Sequence, residues 1–216
     1  MNKWEERWRN GKTGWHRNEV NANLIQFINE IEPINNSKIL IPLCGKSLDV
    51  GWLADQGATV VGVDLVLKPL KDFFNERESN PTQTFTQGLT KLSDGQITMV
   101  HSDIFEFNSE IEGTFDVIYD RAAMVALPPQ LREKYVEHCS NLLKPNGQIF
   151  LITYDAPKAD DQGPPYPVRE GTVEHLFSQF HDVKLLNKFT TSSEEDPRLK
   201  LKNLEWAQTN VWNITK

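Results

Sequence analysis

The sequence predicts an α/β fold, a doubly wound and mostly parallel sheet with helices on both faces and an antiparallel last strand. Two observations carry this expectation. Short apolar runs near 39–42, 60–63, 97–101, 115–119 and 148–154 alternate with stretches of helical periodicity, as in a parallel sheet whose crossovers are helices. Between Lys38 and Asp64 the order is strand, glycine turn, amphipathic helix, strand, acid. In such sheets a ligand sits beyond the carboxyl ends of the strands, and a carboxylate about twenty residues past the glycine is placed to accept both hydroxyls of a ribose.

The elements follow in order. Trp4 and Trp8, four apart among charged residues, predict a short helix over 3–9 with one aromatic face, closed by a turn from Gly11 to Gly14. A second helix is expected near 20–31. After the apolar run Ile39 to Pro42 comes the turn Leu43-Cys44-Gly45-Lys46-Ser47. Ser47 or Asp49 can cap the next helix, whose inner face carries Leu48, Trp52 and Leu53 before Gly57 closes it. Val60 to Val63 forms the second strand and ends on Asp64. Pro69 opens a helix carrying Phe73 and Phe74, and a long helix over about 129–143 places Leu131, Tyr135, Cys139 and Leu142 at helical spacing. The last third reads as a Pro/Gly-rich loop at 156–168, a helix near 170–179, a strand near 183–188, a polar loop from Thr190 to Arg198 and a final strand near 204–214. Two strands joined by a polar loop without helical pattern predict an antiparallel hairpin at the sheet edge. The expected total is seven strands in one domain over 1–216, with an N-terminal helical cap over about 1–36.

Composition narrows the function. A chain of 216 residues with 38% hydrophobic content suits one globular domain. The formal charge of −7 lacks the basic patch that phosphate neutralisation requires, so no nucleic-acid partner is expected. Cys44 and Cys139 show no CxxC spacing, which points to reduced thiols and no metal site. The charged start Met-Asn-Lys-Trp-Glu-Glu-Arg is unlike a signal peptide, and no run approaches a membrane span. A soluble, cytoplasmic protein with small-molecule partners is the expectation.

The glycine turn admits three readings. A Walker A loop would need a glycine at position 40, which is Leu. A dinucleotide site needs G-x-G-x-x-G so that backbone can approach a pyrophosphate, and only Gly45 is present. A nucleoside cofactor without phosphates makes no such demand, and S-adenosylmethionine is one. The structural alternative is that Gly45 makes a tight turn and Asp64 caps the segment after it.

Three segments, Trp8-Arg9-Asn10-Gly11-Lys12-Thr13-Gly14-Trp15-His16, Pro42-Leu43-Cys44-Gly45-Lys46-Ser47 with Asp49, and Asp120-Arg121-Ala122-Ala123-Met124-Val125-Ala126-Leu127-Pro128, together resemble the thiopurine S-methyltransferase family. Gly163-Pro164-Pro165-Tyr166 adds a fourth match. The motifs occur in the family's order from residue 4 to about 170, whereas the C-terminal hairpin matches only loosely. The resemblance implies a Rossmann-like class I methyltransferase fold. The implied activity is transfer of the methyl group of S-adenosylmethionine to the sulfur of an aromatic or heterocyclic thiol, leaving S-adenosylhomocysteine. Carried over by position, Trp8, Leu43, Asp64 and Arg121 become cofactor contacts, joined by Gly45 in the turn, with Asp103 and Ile104 beside adenine. The family usually has Glu where this chain has Asp64. Asp is shorter by one methylene but still accepts two hydroxyl hydrogen bonds.

A methylsulfonium is already activated, so the expected task is to align a soft nucleophile with it at about 3 to 3.5 Å and exclude water. Arg121 can favour a substrate thiolate, bind the methionine carboxylate, or pair structurally with Asp120. Trp8 and Trp15 can supply flat walls, and Trp15 is the substrate-stacking candidate. His16 in its turn reads as a structural residue. Pro165 and Tyr166 can form a rim over the substrate, and Arg198 loosely matches a family arginine near it. The rival reactions are methylation of tellurium or selenium species or of halide and thiocyanate ions. A rival from another class is a non-catalytic S-adenosylmethionine-binding protein. A monomer is expected.

Overall fold

The computed structural model describes residues 3–31, 33–86 and 88–216. The chain divides into two compact units, residues 1–117 and 118–216.

The first unit opens with helices α1 (Lys3–Arg9) and α2 (Ala22–Phe27), the latter followed by a 3-10 turn at Ile28–Glu30. It continues through β1 (Lys38–Pro42), α3 (Leu48–Asp55), β2 (Thr59–Asp64), α4 (Leu67–Glu76), β3 (Thr82–Thr86), β4 (Leu89–Asp94), β5 (Ile97–His101) and α5 (Ser109–Glu112). Its strands lie in the order β3-β4-β5-β2-β1. β2 runs parallel to β1 on one side, with Ile39 opposite Val60, and to β5 on the other, with Asp64 opposite His101. Ile39, Leu40, Val60, Val61 and Val63 are all buried, as expected of central parallel strands covered on both faces. α3 begins where Ser47 accepts a hydrogen bond from the Asp49 amide at 3.3 Å, so the cap is Ser47 rather than Asp49. It ends at Gly57, whose φ of +92° supplies the left-handed residue after the helix. In α4, Leu70, Phe73 and Phe74 form the buried stripe, and Pro69 sits in the first turn where its missing N–H costs nothing.

Strand β6 (Phe115–Asp120) contains the division between the units. The second unit then runs α6 (Ala123–Ala126), a 3-10 turn at Pro129–Leu131, α7 (Arg132–Leu142), β7 (Leu143–Asp155), α8 (Glu170–Leu176), β8 (Asp182–Ser192), α9 (Pro197–Lys200) and β9 (Trp206–Thr215). Its strand order is β6-β7-β9-β8. β9 is antiparallel to both neighbours, with Ile149 opposite Ile214 and Leu185 opposite Trp212. The expected C-terminal hairpin and antiparallel last strand are therefore present.

The strand count differs from the expected seven, because nine strands occur among the described residues. The additional pair is β3 and β4. Every residue of β3 is exposed, so the segment has no apolar alternation to mark it. Its neighbour did carry a signal: Asp94 pairs with Ile97 across the two-residue turn Gly95-Gln96, whose Gly95 has φ +56°, and glycine at the first central position is what a type II′ hairpin turn requires. The expected helix over 129–143 is also revised. Residues 129–131 form a 3-10 turn after Pro128, and Leu131 is 37% exposed rather than part of the buried stripe.

Candidate functional site

In the first unit the motif residues converge at the carboxyl ends of β1 and β2. The chain leaves β1 through Leu43 at φ +51° and Gly45 at φ +52°. A leucine held in the left-handed region costs about 1–2 kcal/mol. The turn is retained because the Cys44 amide donates to the Val63 carbonyl at 3.1 Å and the Ser47 amide to the Cys44 carbonyl at 3.1 Å. Gly45 is required twice over. Its φ favours glycine, and a Cβ there would lie 2.8 Å from Cζ2 of Trp8. Trp8 is buried and caps the bare backbone of the turn.

Asp64 closes β2 and is 9% exposed. Its Oδ2 accepts from the Gly45 amide at 2.8 Å and its Oδ1 from the Val66 amide at 2.9 Å. The carboxylate thus does what the structural reading of the sequence anticipated, tying the turn to the segment after the strand. A carboxylate offers roughly four acceptor positions, so two amides leave each oxygen with capacity for one more donor. That remainder matches a vicinal ribose diol. The residues present therefore fit the nucleoside end of S-adenosylmethionine.

Burial pushes the Asp64 carboxyl up to about 6, against the opposing pull of the Val66 and Gly45 amides and of nearby His101. The folded value lies above the ordinary 3.8. Native stability from this group is therefore fully present at low pH and is lost as pH rises from 3.8 to about 6. Ligand binding runs the other way, because two hydroxyl donors favour the charged form. S-adenosylhomocysteine affinity is expected to be flat above pH 7 and to fall below pH 6, by at most about tenfold per pH unit. Titration calorimetry across this range, with Asp64→Asn flattening the profile, checks it.

Trp15 is half-buried and meets Trp8 edge to face at 5.8 Å and Trp4 at 5.3 Å. The Arg7 guanidinium lies 5.7 Å from the Trp15 ring centroid and 5.4 Å from that of Trp4. Trp15 is thus a brace of the tryptophan that covers Gly45. His16 lies 6.2 Å from Trp8, and its amide donates to Thr13 to close the turn. Asp103 accepts from the Phe105 amide at 3.0 Å through Oδ1, and Ile104 beside it is buried. The structure brings Trp8, Leu43, Gly45 and Asp64 into one local cluster and places Asp103 and Ile104 just past β5, next in the sheet to β2.

In the second unit Arg121 follows β6 directly and is half-buried. It does not pair with Asp120. The Asp120 carboxylate is 2% exposed and accepts from the Ala123 amide at 2.9 Å, the Met124 amide at 3.2 Å and the Tyr135 hydroxyl at 2.8 Å. Among the described residues Arg121 has no ion-pair partner, which leaves its guanidinium available to an anion. Tyr166 is 9% exposed, and its amide donates to the Val125 carbonyl at 2.7 Å. Gly163 is needed for that loop, since a Cβ there would lie 2.3 Å from the Tyr166 ring. The Pro165 carbonyl accepts from Lys158 Nζ at 2.5 Å. Arg198 is exposed and makes a two-pronged pair with Asp196, Nε to Oδ1 at 2.8 Å and an Nη to Oδ2 at 2.8 Å.

Two functional details escaped the sequence reading. Asp49 is buried and accepts from the Asn21 amide at 2.8 Å, tying the start of α2 to α3. Tyr135 sits at a core position of a helical stripe, and its hydroxyl donates to Asp120. The one available signal was an acid at a strand's end followed by a short helical run, the pattern of a side chain accepting from helix amides.

The fold and the strand-turn-helix-strand-acid unit define a Rossmann-like protein of the S-adenosylmethionine-dependent methyltransferase class. Among solved structures, a 1,6-didemethyltoxoflavin N1-methyltransferase from Burkholderia thailandensis, with S-adenosylhomocysteine bound, superposes with a TM-score of 0.63 at 15% identity, covering 97% of this chain and 84% of that one. The family model for thiopurine S-methyltransferase matches residues 1–216, and the chain belongs to that family. Relatives described as thiopurine S-methyltransferases include one from Nitrosospira multiformis, 34% identical over 209 residues, with 97% of this chain and 94% of the relative covered. Another, from Legionella pneumophila strain Philadelphia 1, is 36% identical over 215 residues, covering 99% and 96%. The chain is accordingly an S-adenosylmethionine-dependent methyltransferase. Among the described residues no helix is long and apolar enough to cross a membrane.

Proposed function

We propose that this enzyme methylates the sulfur of aromatic or heterocyclic thiols. The observation that carries the cofactor half of the reading is the Asp64 carboxylate. It is clamped by the Gly45 and Val66 amides, mostly ionised at neutral pH, and retains one acceptor position per oxygen. The donor supplies a methyl group already activated by its sulfonium. What the chain contributes is placement. Asp64 holds the sugar, Trp8 walls the turn, Leu43 and Gly45 present backbone to the amino acid portion, and Asp103 with Ile104 flank the base. Arg121 favours an ionised thiol or holds the cofactor's carboxylate, while Pro165 and Tyr166 form the acceptor-side rim. The relatives' shared description as thiopurine S-methyltransferases supports sulfur as the acceptor atom.

An acceptor panel with labelled methyl donor tests this reading. Thiophenol and 6-mercaptopurine should be methylated in preference to selenite, tellurite, iodide and thiocyanate. Turnover of the ions without the thiols would replace the reading with chalcogen or halide methylation, and tight S-adenosylhomocysteine binding without any turnover would replace it with a binding protein. Trp15→Ala is expected to raise the Michaelis constant of the thiol more than that of the donor. An equal rise in both would confine Trp15 to bracing Trp8.

A further inference from the structure

Asp120 and Tyr135 lie outside the roles assigned above, yet their hydrogen bonds run to the segment that carries Arg121 and, through it, to Tyr166. Asp120 ends β6 and is 2% exposed, and Tyr135 on α7 is 1% exposed. Burial of a carboxylate costs several kcal/mol unless its oxygens are satisfied, and here the satisfaction is specific. The Tyr135 hydroxyl donates to Oδ2 at 2.8 Å, the Ala123 amide to Oδ1 at 2.9 Å, and the Met124 amide to Oδ1 at 3.3 Å and Oδ2 at 3.2 Å. The amides belong to the first turn of α6, which has no other side-chain cap. Arg121 and Ala122 are the residues between the carboxylate and the amides it holds, so their backbone is clamped from both sides. At the far end of α6 the Val125 carbonyl accepts from the Tyr166 amide at 2.7 Å. A continuous line of hydrogen bonds thus runs from Tyr135 through Asp120 and α6 to Tyr166.

We infer that Asp120 and Tyr135 are positioning residues for methyl transfer, fixing the 121–126 segment that presents Arg121 and, through Val125, the Tyr166 rim. This deepens the proposed function and rests on its placing of Tyr166 in the acceptor-side rim and on the thiol-favouring one of the two roles it gives Arg121. A purely structural acid would be satisfied by any donors. This one takes donors from the segment that carries Arg121 and from a helix behind it, so the tyrosine hydroxyl holds the carboxylate against those amides. Desolvation pushes the Asp120 carboxyl up to about 6, countered by Tyr135 and the amides of 122–124, and the Cys139 thiol is raised by burial and further by the Asp120 charge. Loss of the tyrosine hydroxyl removes one of the donors that keep the carboxylate in its acceptor form.

The test compares Tyr135→Phe and Asp120→Asn with Val136→Ala, which trims a buried side chain on the same helix without touching the line of bonds. In the free protein, amide hydrogen exchange at 122–126 and at 166 should quicken about tenfold or more in Tyr135→Phe, with β1 and β2 amides unchanged and no such local change in Val136→Ala. With thiophenol as acceptor, Tyr135→Phe should lower kcat/KM about tenfold while S-adenosylhomocysteine affinity moves less than threefold. Asp120→Asn should do the same more severely, and if it fails to fold Tyr135→Phe carries the decision. Uniform quickening across the chain, an equal effect in Val136→Ala, or unchanged exchange at 122–126 would overturn the inference. The exchange measurement needs no acceptor, so it decides the positioning claim even where no thiol is turned over and the acceptor reading fails.

Discussion

Asp64→Ala is expected to weaken S-adenosylhomocysteine binding by about 1.5–3 kcal/mol, the loss associated with removing a charged hydrogen-bonding partner. In affinity this is roughly a ten- to 150-fold rise in Kd. The free protein should suffer less. The mutation strands the buried amides of Gly45 and Val66, at about 1–3 kcal/mol each. It also removes a carboxyl whose rise from 3.8 to about 6 corresponds to roughly 3 kcal/mol of unfavourable burial at neutral pH. The two contributions are of the same order and opposite sign. Calorimetric affinity should therefore collapse while the melting temperature of the unliganded protein moves by only a few degrees. An unchanged Kd would remove Asp64 from the ribose and leave it as the clamp of the turn alone.

What the sequence conveyed about this site depended on how much of each residue's role is written in its neighbours. The β1-turn-α3-β2 unit was readable because central parallel strands are apolar on both faces and short, so Ile39 to Pro42 and Val60 to Val63 stand out against the helix between them. Asp64 was readable because it stops such a strand. Its double hydrogen bonding was not, since that depends on the left-handed turn through Leu43 and Gly45, and leucine gives no warning of a positive φ. β3 left no trace because an exposed edge strand has no face to pattern. Tyr135 and Arg198 each have a partner that the sequence pattern does not announce. The tyrosine lies in a helical stripe that reads as core filling, although a buried phenol needs a hydrogen-bond partner and Asp120 supplies it. The arginine resembles a substrate contact, and Asp196 two residues earlier, which caps α9, engages its guanidinium in the free protein.

Gly45→Ala carries the other large expected effect, and its two causes can be separated. The φ of +52° costs an alanine about 1–2 kcal/mol. The added Cβ would also meet the Trp8 ring 2.8 Å away at Cζ2. That ring is a rigid, buried plane with Trp15 packed against it at 5.8 Å, so relief requires moving α1 or the turn, an overpacking cost of about 1–3 kcal/mol. Together about 2–5 kcal/mol of stability should be lost, lowering the melting temperature by roughly 4–20 °C. Because the Gly45 amide also holds Asp64, cofactor affinity should fall with it. In a Trp8→Ala background the steric part disappears and only the conformational part remains, so the same substitution should cost about 1–2 kcal/mol. The double-mutant cycle then yields a coupling of about 1–3 kcal/mol between residues 8 and 45. Equal costs in both backgrounds would mean that Trp8 does not cover the turn, and the wall it is proposed to give the cofactor would be lost with it.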